Sequence, residues 1–421
     1  MKRYLARRMD GGEYRNMAEI EAPQLRVPFG SRLTILDAVR GAAVLMVLTF
    51  HSAGVRVAGP VTSLWAGIVG SLWSGVDLFF VLSGFLITGI LLDSRRHPRY
   101  FVNFYTRRAL RIFPLYYGVL IVVLLIAPVV WPAIRAVEYW RTLQAHQLWL
   151  LVYLHNYLQA QGSHELPGLG HFWTLAIEEQ FYWVWPLVVY YIAPRRLLKM
   201  SVLLCAFAPA VRILLYFNGV SPWAIRQLTF TRIDSLAWGG IVALLLREPG
   251  LAHSGRRWIR RLGISGGVGL LVIFVGMGSL PFEAPVMVTI GYSMVAAVFA
   301  AFLAACSFRK SPTPRPGWPQ RGLAWIGTIS YGIYVFHWPT YQLLEGVRSR
   351  YLSNTWLAVP GIPQAMATLA GTLALSTGIA FLSWRFWERP FLRLKSRFAY
   401  VKTAEGAGRV QQPAGLPLSE G

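Results

Sequence analysis

The sequence predicts an all-α, polytopic membrane protein of about ten transmembrane helices with both termini cytoplasmic. Three observations carry this reading: composition, recurring apolar runs and an alternation of basic loops. Of 421 residues, 55% are hydrophobic and 14% are charged. Soluble domains carry about a quarter charged residues, so a water-soluble globule is excluded. Apolar runs of about 18–22 residues suit a bilayer crossing. They fall near 34–56, 70–92, 112–130, 173–193, 199–217, 233–247, 262–280, 285–306, 323–340 and 366–387. Leu148–Leu158 is apolar but too short to span, which suits a re-entrant or interfacial segment.

The net charge of +23 comes from 41 Lys+Arg against 18 Asp+Glu. In a soluble chain that balance would suggest nucleic acid. Here the basic residues lie between apolar runs, so membrane lipids are the expected partner and nucleic acid is not. About 32 of them fall on the N-terminal segment, the 93–111, 195–199, 247–261 and 307–322 loops and the C-terminal tail, against about seven on the opposite loops. That bias predicts an even number of spans in a plasma (bacterial inner) membrane. Residues 1–33 read as a basic cytoplasmic segment without a cleavable signal. Residues 34–390 read as the transmembrane domain, and 391–421 as a cytoplasmic tail whose Gly/Pro/Gln-rich composition predicts disorder. Two cysteines, Cys205 and Cys306, sit inside apolar runs, so no disulfide framework or thiol-based metal site is expected.

An ionisable side chain in a spanning helix costs several kcal/mol and marks a polar pathway or a site. In the first run Arg40 and His51 lie eleven residues apart. Helical geometry puts them on one stripe, roughly 16 Å apart along the axis. A hydrogen-bonded packing role is the plainer alternative for such a histidine. Asp77 caps a polar network or faces a vestibule. Arg107, Arg108 and Arg111 open the third run, with Arg107 and Arg111 on one face. Guanidinium groups so arranged can grip a phosphorylated ligand through paired hydrogen bonds; enforcing topology is the competing role. The fourth run starts at Trp173 and carries Glu178 and Glu179. Counting inward puts Glu178 roughly 8 Å below the outer face, level with His51. A carboxylate beside an imidazole orients the ring and stabilises its charged form; anchoring an arginine is the alternative. Arg232 and Asp234 suit a structural ion pair, and His337 before Trp338 and Pro339 suits helix-end packing.

Ser83 is not set in a G-x-S-x-G elbow, and no HExxH, P-loop or GxGxxG occurs. Hydrolase, NTPase and dehydrogenase readings therefore lack support.

Taken together, the ordered motifs resemble the acyltransferase-3 family of integral membrane O-acyltransferases, in its single-domain form without a fused esterase-like domain. The matching pieces are Leu36-Asp37-Ala38-Val39-Arg40-Gly41 with His51, Ser74-Gly75-Val76-Asp77-Leu78-Phe79-Phe80, Phe104-Tyr105-Thr106-Arg107-Arg108-Ala109-Leu110-Arg111, and Phe172-Trp173-Thr174-Leu175-Ala176-Ile177-Glu178-Glu179-Gln180. Thr231-Arg232-Ile233-Asp234, Tyr334-Val335-Phe336-His337-Trp338-Pro339 and Trp387-Glu388-Arg389-Pro390 follow in order. Ala38 and Thr174 stand where relatives often carry Gly and Ser.

The resemblance implies a cytoplasmic acyl-CoA co-substrate, commonly acetyl-CoA, no tightly bound cofactor, and a hydroxyl acceptor on a carbohydrate, lipid-linked glycan or small natural product. It implies that His51 and Arg40 are essential, with Glu178 as the acidic residue and Arg107, Arg108 and Arg111 at the acyl-CoA. On this reading Glu178 orients His51 as general base. Asp77, Glu179, Trp173, Arg232, Asp234 and His337 form the supporting network. A separate extracytoplasmic transferase partner stays open. The rival class is a transporter or flippase using the same intramembrane charges, although the paired halves common in transporters are not visible.

Overall fold

The computed structural model describes residues 29–54, 60–130, 138–162, 166, 168–307 and 317–398. Most of the N-terminal basic segment and all of the tail beyond 398 lie outside the described residues. Among the described residues the chain is helical, without a strand. The main helices are α1 (Phe29–Ser52), α2 (Pro60–Ser71), α3 (Gly75–Ser94), α4 (Tyr100–Ile121), α5 (Glu138–Ala145), α6 (Gln147–Leu151) and α7 (His155–Ala160). They continue with α8 (Trp173–Tyr191), α9 (Pro194–Phe217), α10 (Pro222–Gln227), α11 (Ile233–Leu245), α12 (Pro249–Met277) and α13 (Tyr292–Ser307). The last are α14 (Trp318–Thr328), α15 (Ser330–Tyr351), α16 (Ile362–Ser383) and α17 (Arg389–Leu394).

Seven stretches are long and apolar enough to cross a bilayer, which makes this an integral, multi-pass membrane protein. The other three expected spans correspond to α8, α11 and α15. Helix α11 is apolar but only 13 residues long. Helices α8 and α15 are long enough, but Glu178, Glu179, His337 and several aromatic side chains dilute their hydropathy. The expected short segment at 148–158 is α6 and α7 with a break between them. There Tyr153 adopts a left-handed φ of 53° and stacks on Tyr116. The chain after 390 continues as helix to Arg397.

Two close helix crossings set the positions that matter. A Cβ at Gly84 of α3 would fall 1.9 Å from the Leu236 carbonyl oxygen, and one at Gly239 of α11 would fall 1.9 Å from that of Val81. Small residues let these two backbones touch, as in other membrane helix pairs. The contact delivers Asp77 to the start of α11. Gly41 of α1 and Gly327 of α14 form a second such pair.

The buried ion pairs differ from the pairing expected in sequence. Arg232 bonds Asp77 at 2.6 Å, and the Ser235 hydroxyl donates to the same carboxylate oxygen. Asp234 is paired with Arg212 at 3.0 Å. Residues two apart at a helix start point to opposite sides. Arg232 therefore turns to α3 and Asp234 to α9, and they do not pair with each other.

Candidate active site

At one end of the bundle, α4 enters on Arg107, Arg108 and Arg111. A cleft opens there between α1, α3, α4, α8 and α15. Arg40, Arg108 and Arg111 line it, together with Ser83, Glu178, Glu179, Tyr182 and Tyr334. Arg40 is held by Asp37, one helical turn earlier. Arg108 lies over the Tyr182 ring, 5.2 Å from its centre. Glu178 accepts from Ser83 at 2.6 Å and from Tyr182 at 3.3 Å. Glu179 is buried, with one carboxylate oxygen lacking a partner. A second hollow at the same end shares Arg40, Arg111 and Tyr331, and adds Lys395 and Glu388. Arg107 lines neither hollow. Its Nη1 donates to the carbonyls of Lys395 and Phe398 and so ties the chain after α17 to α4.

From Tyr182 to Thr174 the cleft follows α8 for about 12 Å and ends at Thr174 and Tyr334, whose hydroxyls are hydrogen-bonded. The Tyr334 hydroxyl also donates to the His171 carbonyl at 2.8 Å. Beyond this roof lie three imidazoles from three helical segments. The ring centres of His51 and His337 are 5.1 Å apart, and those of His171 and His337 are 4.8 Å apart. His337 Nδ1 lies 2.6 Å from the Tyr334 carbonyl oxygen, and His337 Nε2 lies 3.1 Å from His51 Nδ1.

A carbonyl only accepts, so His337 Nδ1 carries the hydrogen. With both rings neutral, His337 Nε2 then accepts and His51 Nδ1 donates. His51 Nε2 is left with its lone pair. His51 is half-buried, with Trp338 and Phe50 edge-on at 5.0 Å.

The candidates of the sequence therefore divide between the cleft and a separate histidine cluster. Arg40, Arg108, Arg111, Glu178 and Glu179 meet in the cleft, and His51 and His337 meet beyond its roof. Trp173 stands at the start of α8 against Phe80. Asp77, Arg232, Asp234 and Arg212 form the buried ion pairs described above.

No hydrogen bond joins Glu178 to His51; the partner that orients His51 is His337. The depth count fails because α1 ends at Ser52, which leaves His51 in its last turn, while Glu178 is the sixth residue of α8. His171 is the α8-side residue at the level of His51. It stands seven residues, or about two turns, before Glu178. Its place just ahead of the Phe172-Trp173 motif was the only signal in the sequence. Lys395 was hidden among the basic residues of the tail. No cluster of three metal-ligating side chains occurs among the described residues.

Comparison with known proteins identifies the family of the chain. The acyltransferase-3 family model, described as an acyltransferase domain, matches residues 33–381. The chain is similar to the peptidoglycan O-acetyltransferase OatA of Listeria monocytogenes, with 29% identity over 370 residues, covering 84% of this chain and 55% of that protein. It is also similar to the O-acetyltransferase OatA of Staphylococcus aureus (strain NCTC 8325 / PS 47), with 24% identity over 418 residues, covering 94% of this chain and 62% of that protein. The chain thus spans between about half and three fifths of the length of these curated relatives. No solved structure matches it. The family match covers most of the sequence, and the chain belongs to the acyltransferase-3 family.

Proposed function

We infer that this protein transfers an acyl group, most simply acetyl, from acyl-CoA to a hydroxyl of a carbohydrate or related acceptor. The observation that carries this reading is the shared roof. Tyr334 closes a cleft lined by three arginines, and its own carbonyl holds the histidine that fixes His51. The relatives' names supply the acetyl group and the carbohydrate. The basic end is the cytoplasmic face, in keeping with the bias of Lys and Arg to that side.

In this reading the CoA phosphates rest on Arg108, Arg111, Arg40 and Lys395 at the mouth of the cleft. Arginine's forked donors match phosphate oxygens, and lysine adds a point charge. Arg107 supports the site by holding the segment that carries Lys395. Glu178, bonded to Ser83 and Tyr182, balances the arginines and shapes the wall along which the pantetheine lies. Rotation of the Tyr334 side chain lets the thioester pass Thr174 toward His51.

His51 Nε2 then takes the proton of the acceptor hydroxyl as that oxygen attacks the thioester carbonyl carbon. The carbon–sulfur bond breaks, and the leaving thiolate takes the proton from Nε2. The acyl group ends as an ester on the acceptor, and the base is restored. No side chain is acylated in this scheme.

The test uses the full chain in nanodiscs with [14C]acetyl-CoA and a polyol acceptor. General-base removal typically costs about 10²–10⁴-fold, so His51→Ala is expected to lose ester formation on that scale while CoA still raises its thermal midpoint. Ester formation at the wild-type rate in His51→Ala would remove His51 from the chemistry.

A further inference from the structure

Three arginines in the described residues are less than a tenth exposed: Arg212, Arg226 and Arg232. Two have an aspartate. Arg212 bonds Asp234 and Arg232 bonds Asp77. Arg226, on the short helix α10, has neither a carboxylate nor a recorded hydrogen-bond acceptor among the described residues, and its Nε is buried without a partner. Aromatic rings surround it instead. Its guanidinium carbon lies 4.3 Å from the ring centre of Phe282, 5.2 Å from Trp173, and 6.0 Å from both Trp73 and Trp223.

Ring faces attract a cation, but they accept no directed hydrogen bond from the guanidinium plane. A buried charge is ordinarily retained only with a counter-charge and satisfied donors. The fold provides these for Arg212 and Arg232 and withholds them from Arg226.

The cage borders the histidine cluster. Phe282 packs edge-on against Phe50, whose ring lies 5.0 Å from that of His51. Trp173 follows His171 by two residues. The CoA phosphates, on the proposed reading, have their own arginines at the other end of the cleft. An anionic group on this side would give Arg226 the counter-charge that the fold withholds.

We propose that Arg226 is the anion-binding residue of the acceptor site. The acceptor is a negatively charged saccharide whose carboxylate or phosphate pairs with Arg226 while one of its hydroxyls reaches His51. This assignment rests on the acyl-transfer reading and narrows its acceptor class. Guanidinium pairs in a planar, two-point fashion with either oxyanion. Trp223, beside Arg226, and Trp338, beside His51, are half-buried and offer apolar faces for the sugar ring.

The experiment measures binding without transfer, so it stands apart from the chemistry. Glucose, glucuronate and glucose 6-phosphate are titrated into the nanodisc-embedded protein, with intrinsic tryptophan fluorescence as the readout, since tryptophans form the cage. The wild type is expected to bind at least one of the anions about tenfold or more tightly than glucose, and the stronger of the two identifies carboxylate or phosphate as the group recognised. In Arg226→Gln that preference is expected to vanish, and in Arg226→Lys to persist in part, with the thermal midpoint and CoA binding of both variants unchanged.

Equal affinity of the wild type for all three sugars overturns the proposal, whether or not the variants fold. A tenfold preference that survives in Arg226→Gln overturns it as well. Failure of the acyl-transfer reading shows up differently: His51→Ala would keep full ester formation while the anion preference stood intact.

Discussion

His51 and His337 share one hydrogen bond, and it decides which nitrogen of His51 keeps its lone pair. The Tyr334 carbonyl fixes His337, and His337 fixes His51. Removing the middle member frees His51 to turn or to take the other tautomer. His337→Ala is therefore expected to lower kcat for ester formation by roughly 10²-fold, the lower range for disabling a general base. KM for acetyl-CoA should stay nearly constant, because His337 lies beyond the roof from the arginines. A comparable rise in KM with kcat intact would make His337 part of the donor site.

At this scale the sequence was only partly legible. Arg40, Arg108, Arg111 and Glu178 are conspicuous because charge in an apolar run is conspicuous, and the structure brings them together. The partner of His51 was not legible. A helix end misplaced by four residues shifts a side chain by about one turn, or about 5.4 Å, enough to put Glu178 where His337 belongs. His171 lies at a helix start beside aromatic residues and looked like a boundary.

Helices α3 and α11 touch through Gly84 and Gly239, and this contact brings Asp77 to Arg232. Periodicity and length found the helices but not this contact, since a glycine in an apolar run gives no partner. A larger side chain at the crossing must separate the backbones. Gly84→Leu is expected to disrupt the crossing and cost more than the about 1–3 kcal/mol of ordinary overpacking, since the obstacle is a carbonyl oxygen and not a flexible side chain. The thermal midpoint in detergent measures this, and an unchanged midpoint would show that the helices do not cross as described. The same contact explains why α11 can be short. It is enclosed by α3, α9 and α13, so its length follows its neighbours and not the bilayer. A span criterion based on hydropathy misses α8 and α15 for a related reason: their polar and aromatic side chains make them less apolar.

The molecule as a whole separates two kinds of positive charge. At the basic end, Arg40, Arg108, Arg111 and Lys395 gather around open hollows. Deeper in, Arg212 and Arg232 are neutralised by aspartates. Of these two groups, only the first is available to the CoA phosphates. Replacing Arg108 and Arg111 together by Ala is expected to weaken CoA binding by at least tenfold and to reduce its dependence on salt, since exposed charge pairs are screened over about 10 Å at 0.1 M. Isothermal titration at two ionic strengths checks this; equal affinity and an equal salt response would leave these arginines as markers of topology. Loop charge pointed to this end of the bundle from sequence alone. The cleft itself did not follow, because it is made by five helices whose mutual packing no single segment encodes.

On the proposed reading the donor enters from the basic end and the acyl group leaves at the other. Proteoliposomes of known orientation can test it, with acetyl-CoA confined to one side and a membrane-impermeant acceptor to the other. The expected result is ester formation only when acetyl-CoA faces the basic end and the acceptor faces the histidine end. Ester formation with both substrates on one face, and none across the bilayer, would contradict it.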